Sequence, residues 1–359
     1  MGKDSLLVAP TRHKRRGRVT ASRRARVAAR VTAVTLRPLT AVIPLNRTGV
    51  VMSRAIVAGS LAAFSPRLAG TGIELVDERN AEGQRVRGEW VRARRPARDD
   101  AVILYLHGSG YVICSPRTHR GLTSRLSAYT GLAVFSCDYR LAPKHRFPSA
   151  ADDVSAAFRW LLAQGYAADK IIIAGDSAGG HLAVDLTLEL GRAGHPAPGA
   201  LVMFSPLYDT TFALAGQQER LRRDPMISAK QARKLLDLYT NGADPVHQRL
   251  ALATADAKDL PPMLIQAGGA EMLSADAKKL ADDVIATGGR CELEIWPGQM
   301  HVFQALPLLI PESKRALRKA SSFILRELAG TRSQPSASSS PSVGDRSTTA
   351  FSVFGEVAS

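Results

Sequence analysis

The chain has 359 residues, 45% of them hydrophobic and 22% charged, a balance typical of a globular protein with one large α/β domain or two small domains. The formal net charge is +16 and is unevenly placed: residues 1–54 hold thirteen arginines and lysines against one acid, Asp4, and contribute +12. Cys114, Cys137 and Cys291 are odd in number and lack C-x-x-C spacing, which excludes a disulfide framework and a cysteine metal site.

The basic N-terminal region suits an anionic lipid surface or nucleic acid, with a merely solvated extension as the alternative. Nucleic acid is disfavoured because residues 1–54 contain no Phe, Tyr or Trp to stack on bases. No uncharged apolar window of about 18 residues exists, since Arg37, Arg47 and Arg54 interrupt the stretch 31–64. With no evident signal peptide, we expect a cytoplasmic protein in reducing surroundings that can lie at a membrane surface.

Strand-like and helix-like patterns alternate along most of the chain. Residues 1–30 are predicted to be irregular or frayed helix, and residues 31–66 helical segments broken at Pro38 and Pro44. Strands are predicted at 72–77, 86–93, 101–107, 132–138, 170–175, 200–205, 262–267 and 291–296. Helices are predicted at 117–129, 149–163, 177–193, 228–239, 275–288 and 311–329. This order indicates a mostly parallel sheet with helices on both faces, its first two strands antiparallel.

One interval, Pro206 to Asp259, separates two predicted strands by more than fifty residues. Connections of this length usually carry function, often as a lid. We therefore predict that residues 1–66 and about 206–250 form a cap over the strand ends of an α/β domain spanning 67–330. Residues 331–359, rich in Ser, Thr, Pro and Gly, are predicted to be disordered.

Directly after the apolar run 170–174 comes the pentapeptide Gly175-Asp176-Ser177-Ala178-Gly179. This G-x-S-x-G pattern is typical of a nucleophile elbow, a strained strand-to-helix turn from which a serine hydroxyl projects above the sheet. The alternative is a serine that only caps the following helix. About 70 residues upstream, His107-Gly108-Ser109-Gly110 follows another apolar strand, where the oxyanion loop that serves such a serine is expected.

A serine nucleophile needs a general base, and four histidines follow Ser177: His181, His195, His247 and His301. The first lies one helical turn after the serine and is expected to pack or cap, the second lies in a Gly-Pro-rich turn, and the third falls in the predicted cap. His301 follows the last strand, where the chain order serine, acid, histidine requires the base. We predict His301 as the base, with a surface histidine as the alternative.

The acid that orients the base is expected in the loop after the seventh strand, which contains Glu271 and Asp276. Asp276 falls in the first turn of the next helix, where a negative charge already suits the helix N-terminus, so Glu271 is the predicted acid. The candidate oxyanion donors are the backbone amides of Ser109, Gly110 and Ala178. An amide aimed at the developing alkoxide stabilises the transition state more than the ground state.

Together these motifs resemble the hormone-sensitive-lipase-like family of α/β-hydrolase esterases. The matching stretches are His107 to Tyr111, Asp138-Tyr139-Arg140-Leu141-Ala142-Pro143, Phe147-Pro148, Gly175 to Gly180, Asp224-Pro225-Met226, Leu260-Pro261-Pro262 and Met300-His301. The resemblance covers about residues 70–329 and implies the α/β-hydrolase fold with an N-terminal and inserted cap. It implies a Ser–acid–His carboxylesterase for small to medium acyl esters, without cofactor or metal, in which Ser109 and Gly110 carry the oxyanion role and Ala178 completes it.

Three positions depart from the family pattern. Ser109 stands where the middle glycine of H-G-G-G is usual, Glu271 replaces the commoner Asp, and Lys144 stands where Glu is usual. The Cβ of Ser109 is expected to narrow the pocket floor, and its hydroxyl offers a further donor. Cys114, close to this loop, is predicted to be a packed thiol.

The expected substrate is a small-molecule or lipid ester. Deacetylation, or amide or lactone hydrolysis on the same machinery, stays open because fold and triad do not separate these reactions. A homo-oligomer also stays open. A ligand-binding protein on an inactive hydrolase scaffold is the less favoured alternative, because His301 is present.

Overall fold

The computed structural model describes residues 20–94, 98–257 and 259–330. The first part of the basic arm and the tail predicted to be disordered lie outside these residues. The strands form one sheet in the order β1-β2-β4-β3-β5-β6-β7-β8. They are β1 (Gly72–Arg79), β2 (Arg85–Arg92), β3 (Val102–Leu106), β4 (Ala133–Cys137), β5 (Ile171–Asp176), β6 (Ala200–Phe204), β7 (Met263–Gly268) and β8 (Cys291–Trp296).

Strand direction follows from the connections. From β3 to β8 all neighbours are parallel, whereas β2 is antiparallel to both β1 and β4. The β1–β2 connection is a short turn, closed by the Gln84 amide donating to the Asn80 side chain at 2.9 Å, and such a turn joins antiparallel strands only. The predicted α/β-hydrolase fold, with a mostly parallel eight-stranded sheet, is confirmed.

The helices lie where the 3.6-residue pattern predicts them in the body of the chain. In the described residues they are α1 (Arg23–Val34), α2 (Leu36–Val42), α3 (Arg47–Phe64), α4 (Pro116–Thr130), α5 (Ser149–Ala163), α6 (Ala178–Arg192), α7 (Ala213–Leu221), α8 (Ala229–Thr240), α9 (Ser274–Ala286) and α10 (Pro311–Gly330). Helix α7 was not predicted.

The prediction of irregular or frayed helix up to residue 30 is wrong for its last part, because α1 is regular from Arg23. The Ser22 hydroxyl caps the helix by accepting a hydrogen bond from the Ala25 amide at 3.1 Å. Ala25 and Ala28 are buried in a cluster with Met300. A helix of 12 residues is only marginally stable in isolation, so this packing stabilises α1.

The core lies on both faces of the sheet because successive side chains of a strand point to opposite sides. In β3, Ile103 and Tyr105 pack in one cluster with residues of α4 and α10. Val102 and Leu104 pack in the other cluster, with residues of α5, α6 and α9. Because helices cover both faces of the sheet, the carboxyl ends of its parallel strands are held rigidly. Ligand sites form at these ends in such folds.

Candidate active site

Ser177 occupies the sharp turn between β5 and α6. Its backbone has φ 51° and ψ −118°, a conformation that only a tightly held L-residue keeps. Its amide donates to the Phe204 carbonyl at 3.0 Å, which ties the turn to the end of β6. The side chain makes no capping hydrogen bond to α6, so the geometry does not favour the helix-cap interpretation.

Two glycines allow the neighbouring backbones to approach this turn. A Cβ on Gly179 would lie 1.9 Å from the Leu106 carbonyl oxygen, at the end of β3. A Cβ on Gly108 would lie 2.3 Å from Asp176 Oδ2 and 3.0 Å from the Ser177 Cβ. Since real side chains cannot approach this closely, glycine at both positions brings the loop after β3 directly against the serine.

The loop after β3 presents unpaired amides. Ser109, Gly110 and Tyr111 have φ of 76°, 61° and 62°, a left-handed run that turns the chain sharply. Within the described parts of the chain, the amides of Ser109, Gly110 and Ala178 have no hydrogen-bond acceptor. Donors of this kind beside a serine hydroxyl are what a developing oxyanion requires.

The Ser109 hydroxyl lies 2.8 Å from the Cys114 Sγ. The Ser109 hydroxyl, which the sequence predicts as a further hydrogen-bond donor to the substrate, is thus engaged with Cys114. Cys114 is buried, and burial raises the pKa of its thiol to about 12. It is a packed thiol, as predicted, and it also lines the same cavity as Ser177.

His301 and Glu271 are in direct contact. The ring Nδ1 hydrogen-bonds the Glu271 Oε2, and the other carboxylate oxygen accepts from the Ser205 hydroxyl at 2.8 Å. Ser205 in turn accepts from the Val302 amide at 3.0 Å, so one hydroxyl links the acid loop to the histidine loop. A carboxylate only accepts, so Nδ1 carries the ring hydrogen and Nε2 is left as the acceptor.

The surroundings favour the charged form of this histidine. Burial of the ring opposes protonation, but the charge and hydrogen bond of Glu271 outweigh it and raise the pKa of His301, with the charge of Asp224 adding to the effect. Glu271 itself is buried. The pair is thus a base held in one tautomer and stabilised once it has taken a proton.

Ser177, His301 and Ser109 line one cavity of about 930 Å³. Most of the other lining side chains are apolar and come from α1, α2, α3 and the segment after His301, with Met226 added from the segment between α7 and α8. They include Val27, Val31, Leu39, Phe64 and Leu308. The cavity is near the upper end of the size range of small-molecule sites, and its composition suits an apolar group.

The remaining sequence candidates lie elsewhere. His181 is buried, with Nε2 3.2 Å from the Leu250 carbonyl oxygen, and it packs as predicted. His195 is exposed, and the ring of His247 packs against Phe147. Asp276 falls in the first turn of α9 and accepts two backbone amides.

The roles of several polar residues around Ser177 and Glu271 were not predicted from the sequence. Asp176 is buried, accepts from the Tyr105 hydroxyl at 2.7 Å and lies 3.3 Å from the His119 Nε2. Its burial opposes ionisation, but the charge and hydrogen bond of His119 and the Tyr105 hydrogen bond lower its pKa. Ser205 follows β6, and a polar residue at the carboxyl end of a parallel strand is the signal that could have identified it.

Asp224 also contributes without touching the cavity serine. Its carboxylate accepts from the Met272 amide at 2.8 Å, directly beside Glu271, and from the Met226 amide at 2.7 Å. The Asp224-Pro225-Met226 stretch was noted only as part of the resemblance. Its position shows a role in holding the acid loop in place.

The described residues contain no group of three or more His, Cys, Asp or Glu side chains arranged to hold a metal ion. None of their helices has the length and apolar character needed to cross a membrane.

Residues 103–305 match the family described as alpha/beta hydrolase fold. The chain is 39% identical over 237 residues to the acetyl-hydrolase of Streptomyces hygroscopicus, covering 66% of this chain and 78% of that protein. It is 35% identical over 264 residues to the carboxylesterase/phospholipase LipF of Mycobacterium tuberculosis, covering 71% and 69% of the two chains.

Solved structures agree. An esterase from the bacterial hormone-sensitive lipase family superposes with a TM-score of 0.77 at 33% identity, covering 86% of this chain and all of that one. The family match spans more than half of the chain and contains both the serine elbow and the histidine loop. The chain therefore belongs to the alpha/beta hydrolase fold family, among the hormone-sensitive-lipase-like esterases.

Proposed function

We propose that this protein hydrolyses carboxylic esters of small to medium acyl groups through an acyl-enzyme. Ser177 is the nucleophile, His301 the general base and Glu271 the acid that orients the base. The observation that carries the proposal is the hydrogen bond between His301 and buried Glu271, with His301 lining the same cavity as Ser177 in its strained turn.

In the first half of the reaction, His301 Nε2 removes the hydroxyl proton of Ser177 as the serine oxygen attacks the ester carbonyl carbon. The carbonyl oxygen becomes an oxyanion, and the amides of Ser109, Gly110 and Ala178 donate to it. The C–O bond to the alcohol then breaks, and the alcohol leaves with the proton from His301.

In the second half, His301 removes a proton from water as the water oxygen attacks the acyl carbon bound to Ser177. The same amides stabilise the second oxyanion. Its collapse breaks the bond to the serine oxygen, which recovers its proton from His301, and the carboxylic acid departs. Glu271 remains ionised throughout and stabilises the imidazolium in both halves.

Helices α1 to α3 and the insertion containing α7 and α8 would form the cap of this site. Support comes from Val27 and Phe64, which line the cavity together with Met226 of the insertion. Arg37 of α2 pairs with Glu219 of α7 at 2.5 Å, so the two parts hold each other. Side chains of the cap would then set the acyl preference.

Replacing the nucleophile tests the proposal. Ser177→Ala should reduce hydrolysis of p-nitrophenyl butyrate to background, since no other group can form the acyl-enzyme, and should abolish labelling by a fluorophosphonate probe. Ser322→Ala, which removes an exposed hydroxyl on α10, is the matched control and should keep wild-type rates. Substantial hydrolysis by Ser177→Ala would refute the assignment.

A second candidate, removal of an acetyl group from a small molecule, is favoured by the name of the Streptomyces hygroscopicus relative. A chain-length series of p-nitrophenyl esters separates the two. If the apolar cavity binds the acyl group, kcat/KM for the hexanoate should exceed that for the acetate by about tenfold or more, with roughly 200-fold as the bound set by burying four methylenes. A preference for the acetate would support the second candidate instead.

A further inference from the structure

The mouth of the cavity is an apolar rim. We use "rim" for the four apolar residues of α1, α2 and α3 that line the cavity and are also exposed, Val27, Val31, Leu39 and Phe64, together with the exposed Arg23 and Arg24 at its edge. Leu308, which follows His301 in the chain, also lines the cavity and is exposed. The exposed fractions of the four apolar side chains range from 36% to 57%. They lie on three consecutive helices, α1, α2 and α3.

Helices α1 to α3 expose apolar side chains beyond the rim. Of the fourteen large hydrophobic side chains exposed in the described residues, eight lie on α1 to α3. Besides the rim residues they are Val34, Val42, Val51 and Met52. Scattered exposed apolar side chains need no explanation, but a cluster around a cavity mouth marks a surface that meets an apolar partner.

The charged side chains of α1 to α3 are of one sign. Residues 20–66 contain seven arginines and no aspartate or glutamate. Arg37 is paired with Glu219. In the part of the chain that the structure describes, Arg23, Arg24, Arg30 and Arg47 have no carboxylate within ion-pair distance and are exposed. A helical face with apolar residues flanked by unpaired arginines is typical of attachment to an anionic interface.

We propose that the rim docks on an anionic lipid bilayer. Val27, Val31 and Phe64 would enter the boundary between headgroups and acyl chains, while Arg23 and Arg24 pair with lipid phosphates. The cavity mouth would then face the membrane, so that an ester dissolved in the lipid reaches Ser177 without crossing water. The entry route rests on the proposed function, whereas the docking does not.

Charge complementarity favours a bilayer over a second copy of this chain. A symmetric dimer through α1 to α3 would place Arg23, Arg24 and Arg30 of both copies in one interface, with no acid between residues 20 and 66 to compensate. An anionic bilayer supplies both the apolar phase and the negative charge. Each basic group near such a surface contributes about 1 kcal/mol of attraction, which salt screens.

The test measures binding apart from catalysis. Full-length Ser177→Ala protein is sedimented with vesicles of phosphatidylcholine alone or with about one quarter phosphatidylglycerol. We expect binding to the anionic vesicles, weakened by salt, and little binding to the neutral ones. Adding Arg23→Gln and Arg24→Gln should weaken the partition roughly 30-fold, and Val31→Asp at least about tenfold.

Matched controls lie near the amino ends of the parallel strands, opposite to the end that carries Ser177. Ile285, near the end of α9, is 56% exposed against 51% for Val31, so Ile285→Asp makes the same change away from the rim. The pair Arg94→Gln and Arg192→Gln removes two exposed arginines after β2 and at the end of α6. These control variants should bind as the parent does.

Four results would overturn the proposal. They are absence of binding to anionic vesicles at low salt, equal binding to both vesicle types, rim variants that bind like the parent while deletion of residues 1–19 abolishes binding, and a dimer in sedimentation velocity that Val31→Asp dissociates. The last would make this face a contact between copies. Because every protein in the test carries Ser177→Ala, a failure of the proposed triad leaves these results unchanged.

Discussion

Glu271 is fixed by donors on several sides. The Ser205 hydroxyl and the Gly268 amide donate to one carboxylate oxygen, and the His301 ring contacts the other. With both oxygens held, the longer glutamate side chain keeps a single geometry and can do what the family's usual aspartate does. Its buried negative charge is also a principal reason why the pKa of His301 is raised.

The Glu271→Gln variant tests this account. Hydrolysis by the proposed triad needs neutral His301, so kcat/KM should fall as pH drops through the raised pKa of that residue. Removing the negative charge lowers this pKa, and the acid limb of the pH profile should move to lower pH. The plateau rate should also fall by about 10³- to 10⁴-fold, because the amide no longer holds the tautomer.

The comparison is made on pH–rate profiles of kcat/KM with p-nitrophenyl butyrate. Asp276→Asn is the control, because that carboxylate accepts the backbone amides of Tyr208 and Asp209, after β6, and lines no part of the cavity. An acid limb that stays in place, or moves to higher pH, in Glu271→Gln would contradict the role given to Glu271.

At the scale of helices, strands and loops, the sequence predicts those features that residues adjacent in the chain determine. The strand–helix junction around Ser177 and the loop containing His301 are local patterns, and both lie where their motifs indicate. Ser205 and Arg37 are different: Ser205 bonds Glu271, 66 positions away, and Arg37 bonds Glu219, 182 positions away. No local sequence pattern indicates contacts between residues so far apart in the chain. Likewise α1 gains regularity from packing on distant residues.

The close approach of β3 to the Ser177 turn predicts different effects for alanine at two glycines of α6. Gly179→Ala places a Cβ where the Leu106 carbonyl oxygen lies 1.9 Å away, and backbone there cannot move aside. We expect the free energy of unfolding to fall by about 3 kcal/mol or more. In the same helix, Gly191→Ala meets nothing within 4 Å and should instead stabilise the protein, by up to about 1 kcal/mol.

Urea unfolding of the two variants beside the wild type provides the measurement. Equal destabilisation by both alanines would mean that helix α6, and not the close approach of β3, determines the need for glycine at position 179.

At the scale of the whole molecule, the fold buries several titratable side chains. His107 and His181 are both buried, each with one ring nitrogen that lacks a partner among the described residues. Burial lowers the pKa of His107 to about 3 and that of His181 to about 4. Both rings are therefore neutral in the folded protein at the pH where an exposed histidine takes up a proton.

Acid should consequently destabilise the fold. The unfolded chain protonates His181 near pH 6.5, as model peptides do, but the folded chain does so only near about pH 4. Between these values the unfolded state binds more protons, so the free energy of unfolding falls as pH decreases. His181→Gln should remove about 3 kcal/mol of this decrease.

Chemical denaturation at pH 7 and at about pH 4, for wild type and variant, measures the difference and cancels what other groups contribute. His195→Gln, which changes an exposed histidine, should follow the wild type. If His181→Gln loses as much stability on acidification as the wild type does, the buried ring is not the acid-sensitive group.

The Arg37 side chain links helix α2 to the loop that contains Glu271. It connects α2 to the backbone of Asp224, whose carboxylate holds the amide next to Glu271. Acyl selection by the proposed cap and proton transfer by the proposed triad would thus depend on one side chain. We expect exchanges at Arg37 to alter selectivity and turnover together. Exchanges of Val27 or Val31 for other apolar residues should alter selectivity alone and keep the rim apolar, which makes α1 the first target for directed evolution of the pocket.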